Sequence, residues 1–151
     1  MAERVDFYVL GSAAREQRWS VACRLTAKAY LSDLSVIIWS ESDADAKIGD
    51  DLLWTFSDSA FVPHQISLDS MDPGTPVHLV VALERVACAD VLVNLSDRLP
   101  GGLERFARVA EIIDADPERR QLGRERFKAY RDLKLPLQTH QLSDAAAVSS
   151  L

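Results

Sequence analysis

Cysteine and histidine are scarce in this 151-residue chain, and neither residue type is clustered. The two cysteines, Cys23 and Cys88, form no CxxC pair, and the histidines stand singly at positions 64, 78 and 140. Structural zinc sites need such residues in close pairs, so the pattern predicts no metal site. We expect two free thiols in a reducing cytoplasm, with Cys23 in the core because it lies on the apolar side of a predicted helix.

Motifs for nucleotides, nucleophilic catalysis and membranes are also missing. A Gly11-Ser12 turn ends the first predicted strand, but neither GxGxxG nor GxxxxGK follows it. Without those glycines the backbone cannot approach a pyrophosphate closely. There is no GxSxG elbow, no apolar run near the roughly 20 residues that span a bilayer, and no signal-peptide pattern at the first residues. We therefore expect a non-catalytic cytoplasmic protein that binds no cofactor and no membrane.

The elements that are present predict an α/β fold. Hydrophobic residues make up 48% of the chain and charged residues 26%, which is ordinary for one globular domain. In the first third, strands at 5–10 and 36–39 alternate with helices at 15–31 and 43–54, the second helix capped by Ser42. This order predicts a single domain with a mostly parallel central sheet flanked by helices, of Rossmann-like topology but without a phosphate-binding loop.

The rest of the chain continues the pattern less regularly. Residues 55–76 are rich in Pro, Ser and Asp and are predicted as a loop, followed by strands at 77–83 and 90–95. After the break at Pro100, a stripe at helical spacing predicts a helix; it consists of Leu103, Phe106, Ala107, Ala110 and Ile113. Residues 135–142 predict a last strand. We expect the domain to cover 1–143 and the small residues 144–151 to form a disordered tail.

Residues 117–131 stand out by charge. They hold six of the 17 basic residues but only two of the 23 acidic ones, in a chain of net charge −6. Asp116 is a plausible N-cap and Pro117 suits the first helical position. On that helix Arg120, Arg124, Phe127 and Arg131 share one stripe, the basic face, while Leu122, Ala129 and Leu133 are expected to face the core. The basic face is either a solvated charged surface or a site for an acidic partner.

A second informative stretch lies around Trp54. If Ile48 and Leu52 face the core, Trp54 points away from the buried side of its helix. Exposed aromatic residues are enriched at binding hot spots, so Trp54 and Phe61 predict either a partner surface or a satellite of the core.

Four short segments occur in a specific order: Leu-Trp at 53–54, Phe-Val-Pro-His at 61–64, Asp-Val-Leu-Val-Asn-Leu at 90–95 and Arg-Glu-Arg-Phe-Lys-Ala-Tyr-Arg at 124–131. Together they resemble the chi subunit of bacterial DNA polymerase III, over about residues 5–142. The resemblance implies a non-catalytic accessory subunit of the clamp-loader assembly. It implies two partners, the psi subunit and the acidic C-terminal tail of single-stranded-DNA-binding protein, and contact with DNA only through them.

The resemblance also implies site residues. The tail site of the family falls on Arg120, Arg124 and Trp54, and Phe127 stands where some members carry Tyr. The psi-facing surface falls on Phe61, together with Pro63 and His64.

Two other classes of function remain open at this stage. A small nucleotide-dependent enzyme on the same fold would need a phosphate-cradling loop. A direct binder of single-stranded nucleic acid would use the basic face, although the acidic remainder of the chain disfavours it.

Overall fold

A seven-stranded sheet forms the centre of the computed structural model, which describes residues 2–13, 15–56, 61–67 and 74–142. The strands are β1 Arg4–Leu10, β2 Val36–Trp39, β3 His64–Ile66, β4 Val77–Val80, β5 Ala89–Asn94, β6 Phe106–Ile113 and β7 Leu137–Leu142. The α-helices within these residues are α1 Arg15–Leu31, α2 Asp43–Thr55 and α3 Pro117–Asp132. The strand order is β3-β4-β2-β5-β6-β1-β7, and every pair is parallel. The predicted α/β class and parallel sheet are confirmed.

The two faces of the sheet carry separate parts of the core. On one face α1 and α2 pack against residues such as Tyr8, Ile38 and Ile112. On the other face α3 packs against Phe7 and its neighbours in the β6 half of the sheet. Central parallel strands buried on both faces read as continuous apolar runs, which is why β2 and β5 were recognised from sequence.

The predicted helix starts are confirmed. The Ser42 side chain accepts a hydrogen bond from the Asp45 amide, and the Asp116 side chain accepts one from the Arg119 amide. Both bonds satisfy amides that the first helical turn leaves without a partner. Pro117 occupies the first turn of α3, where its missing amide hydrogen costs nothing.

The prediction of a helix at 103–113 is wrong. Leu103–Arg105 form a single 3-10 turn, and β6 begins at Phe106. The last five residues of β6 are all buried, because both faces of this central strand are covered. A short run that is apolar on both sides fits helical and extended spacing equally, so its period cannot separate the two.

Two further differences concern the loop and α3. The predicted loop at 55–76 contains the edge strand β3, which is only three residues long. In α3 the buried residues are Gly123, Arg126 and Tyr130, whereas Leu133 is exposed and Leu122 and Ala129 are only half-buried. The expected core side of this helix was therefore placed incorrectly.

Three remaining expectations stand as follows. Cys23 lies in the core as predicted, and burial raises the pKa of its thiol to about 12, so it stays protonated. The expected tail at 144–151 falls outside the described residues. In the part of the chain that the structure describes, no helix combines the length and apolar character needed to cross a membrane.

Candidate functional site

The N-terminus of α3 is fixed to the end of β6 by a pair of charged side chains. Arg119 donates from Nε and Nη2 to the two carboxylate oxygens of Asp114, at 2.9 and 2.8 Å. Burial alone would raise the pKa of Asp114, but the Arg119 hydrogen bonds and the Asp116 amide lower it below the ordinary value. The carboxylate thus stays ionised, and a two-point pair of this kind sets both the position and the orientation of the helix start.

Arg120, the next residue, is held by backbone carbonyls. Its guanidinium donates to the carbonyl of Asp114 at 3.2 Å and to that of Leu10 at 3.0 Å. These two carbonyls lie where β6 and β1 end. Both acceptors are neutral, so they restrict the position of the Arg120 guanidinium without forming an ion pair with it. It is therefore a pre-oriented cation beside the sheet.

A cavity of about 300 Å³ lies between α3 and the sheet, and we call it the α3 pocket. Arg120, Arg124 and Phe127 contribute from the helix, and Phe7, Val9 and Ile113 provide an apolar floor. Phe127 packs edge to face on Phe7 with ring centroids 5.2 Å apart. None of the described residues pairs with the exposed guanidinium of Arg124. The pocket thus combines an available cation with an apolar slot.

Gly123 allows α3 to approach the sheet closely at this pocket. A Cβ atom at this position would lie 2.8 Å from Cδ1 of Ile113, which is closer than side-chain atoms pack. Any larger residue would force Ile113 or the helix to move. The glycine therefore sets the depth of the α3 pocket.

The buried side of α3 is anchored on Glu111 of β6. This carboxylate, which is 0% exposed, accepts from Arg126 Nε at 3.0 Å, from the Tyr130 hydroxyl at 2.6 Å and from Asn94 Nδ2 at 3.0 Å. Arg126 is itself only 3% exposed. Burial, followed by the Glu111 charge and hydrogen bond, raises the pKa of Tyr130, so its hydroxyl remains a donor. This network fixes the rotation of α3 and hence which residues it turns toward the pocket.

A second surface, the aromatic patch, consists of Trp54, Phe61 and His64. Trp54 is 50% exposed and Phe61 66% exposed, and their ring centroids lie 5.5 Å apart. The buried His64 ring lies 4.3 Å from Trp54 and holds its place through the carbonyls of Val62 and Asp50, at 2.6 and 3.0 Å. Two large apolar rings therefore stand in solvent on a fixed support.

The structure separates the residues that the sequence grouped as one tail site. Arg120, Arg124 and Phe127 line the α3 pocket, but Trp54 does not; it lies with Phe61 and His64 near the opposite edge of the sheet. Arg131 is exposed on the same helix yet does not line the pocket. Pro63, which lies between Phe61 and His64 in the sequence, is half-buried.

Two lining residues escaped the sequence analysis. Thr139 and Gln141 of the edge strand β7 form one wall of the α3 pocket. They are two residues apart, so both point to the same face of the strand. Their alternation with His140 and Leu142 in the sequence places them on one side of the strand. Which element that side contacts follows only from the order of the strands in the sheet.

Another cavity lies at the carboxyl edge of the sheet, where ligands bind in open α/β sheets. Its walls include the acidic side chains Glu41, Asp45 and Asp97. The cations that join them, Arg18 and Arg119, already face Asp97 and Asp114. The three carboxylates outnumber the two cations among the described lining residues, which disfavours a phosphate group in this cavity.

Comparisons with known proteins identify the family. The model of the family described as "DNA polymerase III chi subunit, HolC" matches residues 1–138. The DNA polymerase III subunit chi of Pseudomonas aeruginosa is 40% identical over 139 residues, covering 92% of this chain and 96% of that protein. The Escherichia coli subunit chi is 30% identical over 127 residues, covering 83% of this chain and 84% of that protein.

A solved structure of low sequence identity shares the fold. A chain in the Saccharomyces cerevisiae Dbp5 complex with Nup159 and Gle1 matches with a TM-score of 0.63 at 12% identity. The match covers 99% of this chain and 44% of that chain, and at this identity it shows the fold alone. From the family model and the curated relatives together, the chain belongs to the chi subunit family of DNA polymerase III.

Proposed function

We propose that this chain is a non-catalytic, cytoplasmic accessory subunit of the clamp-loader assembly that joins the psi subunit to the acidic C-terminal tail of single-stranded-DNA-binding protein. The observation that carries the proposal is the presence of two separate surfaces of different chemistry, the α3 pocket and the aromatic patch. A linker protein needs two partners at once, and surfaces near opposite edges of one sheet do not obstruct each other.

The α3 pocket is assigned to the acidic tail. A tail that ends in acidic residues and an aromatic side chain needs cations beside an apolar slot. Arg124 is exposed next to Phe127, and Arg120 adds a second charge whose position is fixed. A guanidinium can bind a terminal carboxylate through two parallel hydrogen bonds, while burial of one aromatic side chain contributes about 1.5–3 kcal/mol.

The aromatic patch is assigned to psi. Trp54 and Phe61 are large, rigid and exposed, which is the composition of a binding hot spot. The resemblance implied that Trp54 belongs to the tail site. We assign it instead to the psi surface, because its ring contacts are Phe61 and His64. Pro63 and His64 then act as the support of the patch.

The proposal is tested by retention on the immobilised chain. Full-length single-stranded-DNA-binding protein should be retained, and the same protein lacking its C-terminal residues should pass through. Psi should be retained whether the full-length or the shortened single-stranded-DNA-binding protein is present. Equal retention of the full-length and shortened proteins would contradict the tail assignment.

The same preparation distinguishes the alternative functions. Direct binding of a single-stranded oligonucleotide by the purified chain would favour a nucleic-acid binder. Template-dependent nucleotide incorporation by the chain alone would overturn the non-catalytic role. The three carboxylates at the carboxyl edge of the sheet and the net charge of −6 argue for neither activity.

A further inference from the structure

A second concave site lies on the face of the sheet opposite α3. A cleft of about 300 Å³ lies beside the C-terminal half of α1, and residues of that helix and of β1, β5, β6 and β7 line it. We call it the α1 cleft. It shares no lining residue with the α3 pocket.

The cleft concentrates positive charge in an acidic protein. Arg4 of β1 and Arg108 of β6 are register partners on adjacent parallel strands, so they stand side by side on one face. Lys28 of α1 lines the same cleft from above. Like charges placed directly opposite each other in a sheet are destabilising, so an anion between them stabilises the arrangement.

Among the described residues, Asp6 is the one carboxylate that lines the cleft, and both of its oxygens already have partners. One oxygen of Asp6 accepts from Arg4 Nε at 3.0 Å, and the other lies 3.1 Å from His140 Nε2. In the described part of the chain, no carboxylate pairs with Arg108. The cleft therefore holds more cations than its own carboxylate neutralises.

The remaining walls are apolar and aromatic. Leu25 and Ala29 of α1 face Ala110 of β6 across the cleft, and the stacked rings of Tyr8 and His140, 4.8 Å apart, close one side. Burial, with the nearby Asp6 charge, raises the pKa of Tyr8 to about 12. The phenol therefore stays protonated at neutral pH and can donate a hydrogen bond to an anion.

We propose that the α1 cleft binds a peptide segment of a partner protein in which a carboxylate side chain adjoins an apolar one. The carboxylate meets Arg108, and the apolar side chain packs between Leu25 and Ala110. A phosphodiester backbone fits less well, because it requires a row of cations along an open surface, whereas these converge on one hollow. A phosphate dianion also meets stronger repulsion from Asp6 than a single carboxylate does.

Amide chemical shifts of the isotope-labelled full chain test this proposal with two matched probes. Acetyl-Leu-Glu-amide should shift the amides of Tyr8, Arg108 and His140 along a saturating curve. Acetyl-Leu-Gln-amide, which lacks only the charge, should bind about fivefold more weakly, the effect of one partly exposed ion pair. Arg108→Ala should weaken the Glu probe by a similar factor, whereas Arg24→Ala, an equal charge change at an exposed α1 residue outside the cleft, should not.

The titrations are repeated in the Arg124→Ala chain to remove the α3 pocket from consideration. Retained shifts at Tyr8 and Arg108 in that chain support a separate site whether or not the tail assignment holds. Equal affinity for the Glu and Gln probes would overturn the proposal, as would an unchanged affinity in Arg108→Ala. Saturation by inorganic phosphate at a lower concentration than by the Glu probe would overturn it in favour of a phosphate ligand.

Discussion

The α3 pocket and the aromatic patch stand near opposite edges of the same sheet and are built in opposite ways. The pocket presents Arg120, whose position is set by hydrogen bonds to two backbone carbonyls, together with the exposed Arg124. The patch presents two exposed rings, of which Trp54 packs on the buried His64 ring and Phe61 packs on Trp54. Charge steers an approaching partner and is screened by salt, whereas apolar burial is not. Binding at the two surfaces should therefore respond differently to ionic strength.

The helices that carry the α3 pocket and Trp54 also differ in the buried residues that hold them to the sheet. The helix that carries the pocket rests on a buried ion pair, Arg126 with Glu111, that also includes Tyr130 and Asn94. The helix that carries Trp54 rests on small and apolar residues, namely Ala46, Gly49 and Leu53. Removing one partner from a buried pair leaves a desolvated charge, which is costly. The pocket is therefore the surface whose geometry a single buried substitution disturbs most.

The largest expected effect comes from changing the buried Glu111 network under α3. Glu111→Ala removes the acceptor of three donors and leaves the Arg126 charge buried, so it should lower the free energy of unfolding by about 3–5 kcal/mol. Urea denaturation measures the change. The control is Glu125→Ala, an exposed α3 residue, which should stay within about 0.5 kcal/mol of the wild type. A loss equal to that of the control would mean that Glu111 does not anchor α3.

Next in size is the apolar anchor of the aromatic patch. Phe61→Ala should cost at least about 2 kcal/mol of psi affinity, the effect of truncating a hot-spot aromatic. The loss should be nearly independent of salt, because no ion pair is removed. Co-elution with psi at micromolar concentration measures it, with Leu31→Ala, an exposed leucine on α1, as the control. If co-elution survives the Phe61 change, psi binds elsewhere.

The charged counterpart is Arg124. Arg124→Ala should weaken tail binding by about 1.5–3 kcal/mol, the range for hydrogen bonds to a charged group, or about ten- to hundredfold. Rising salt should weaken the wild type more than the variant, since a screened ion pair has been deleted. Titration of a labelled tail peptide measures both, with Arg24→Ala as the matched control. Equal dissociation constants for the wild type and Arg124→Ala at low salt would mean that the basic face is only a solvated charged surface.

The smallest expected effect concerns Trp54. Trp54→Ala should weaken psi binding but leave tail affinity unchanged within about twofold, because the ring lies outside the α3 pocket. The same peptide titration decides the point. A tenfold loss of tail affinity would restore the grouping that the sequence resemblance implied.

The sequence predicted the strands and helices whose signals are local. The caps at Ser42 and Asp116 and the apolar run of β2 each identify an element without knowledge of its neighbours. Strand β6 lacked such a signal, because a short segment buried on both faces has no diagnostic period. The three-residue strand β3 was hidden in a loop-rich composition.

The error in α3 concerns which side of the helix is buried. With 103–113 interpreted as a helix, Glu111 had no predicted place in the sheet, and an arginine on the buried side of α3 had no visible partner. Leu122, Ala129 and Leu133 were assigned to the core because they lie largely opposite the basic face, although Arg126 and Tyr130 are the buried residues. In the same way, the distance between Trp54 and the basic face follows from strand order, which pairs residues far apart in the chain and leaves no trace in local spacing.

The central claim, two independent surfaces on one linker, is tested most directly by measuring tail affinity with and without psi. A labelled tail peptide is titrated against the free chain and against the chain saturated with psi. The account predicts dissociation constants that agree within about twofold, since the α3 pocket and the aromatic patch share no residue. A tail affinity that falls steadily as psi is added would show competition for one surface and would contradict the account.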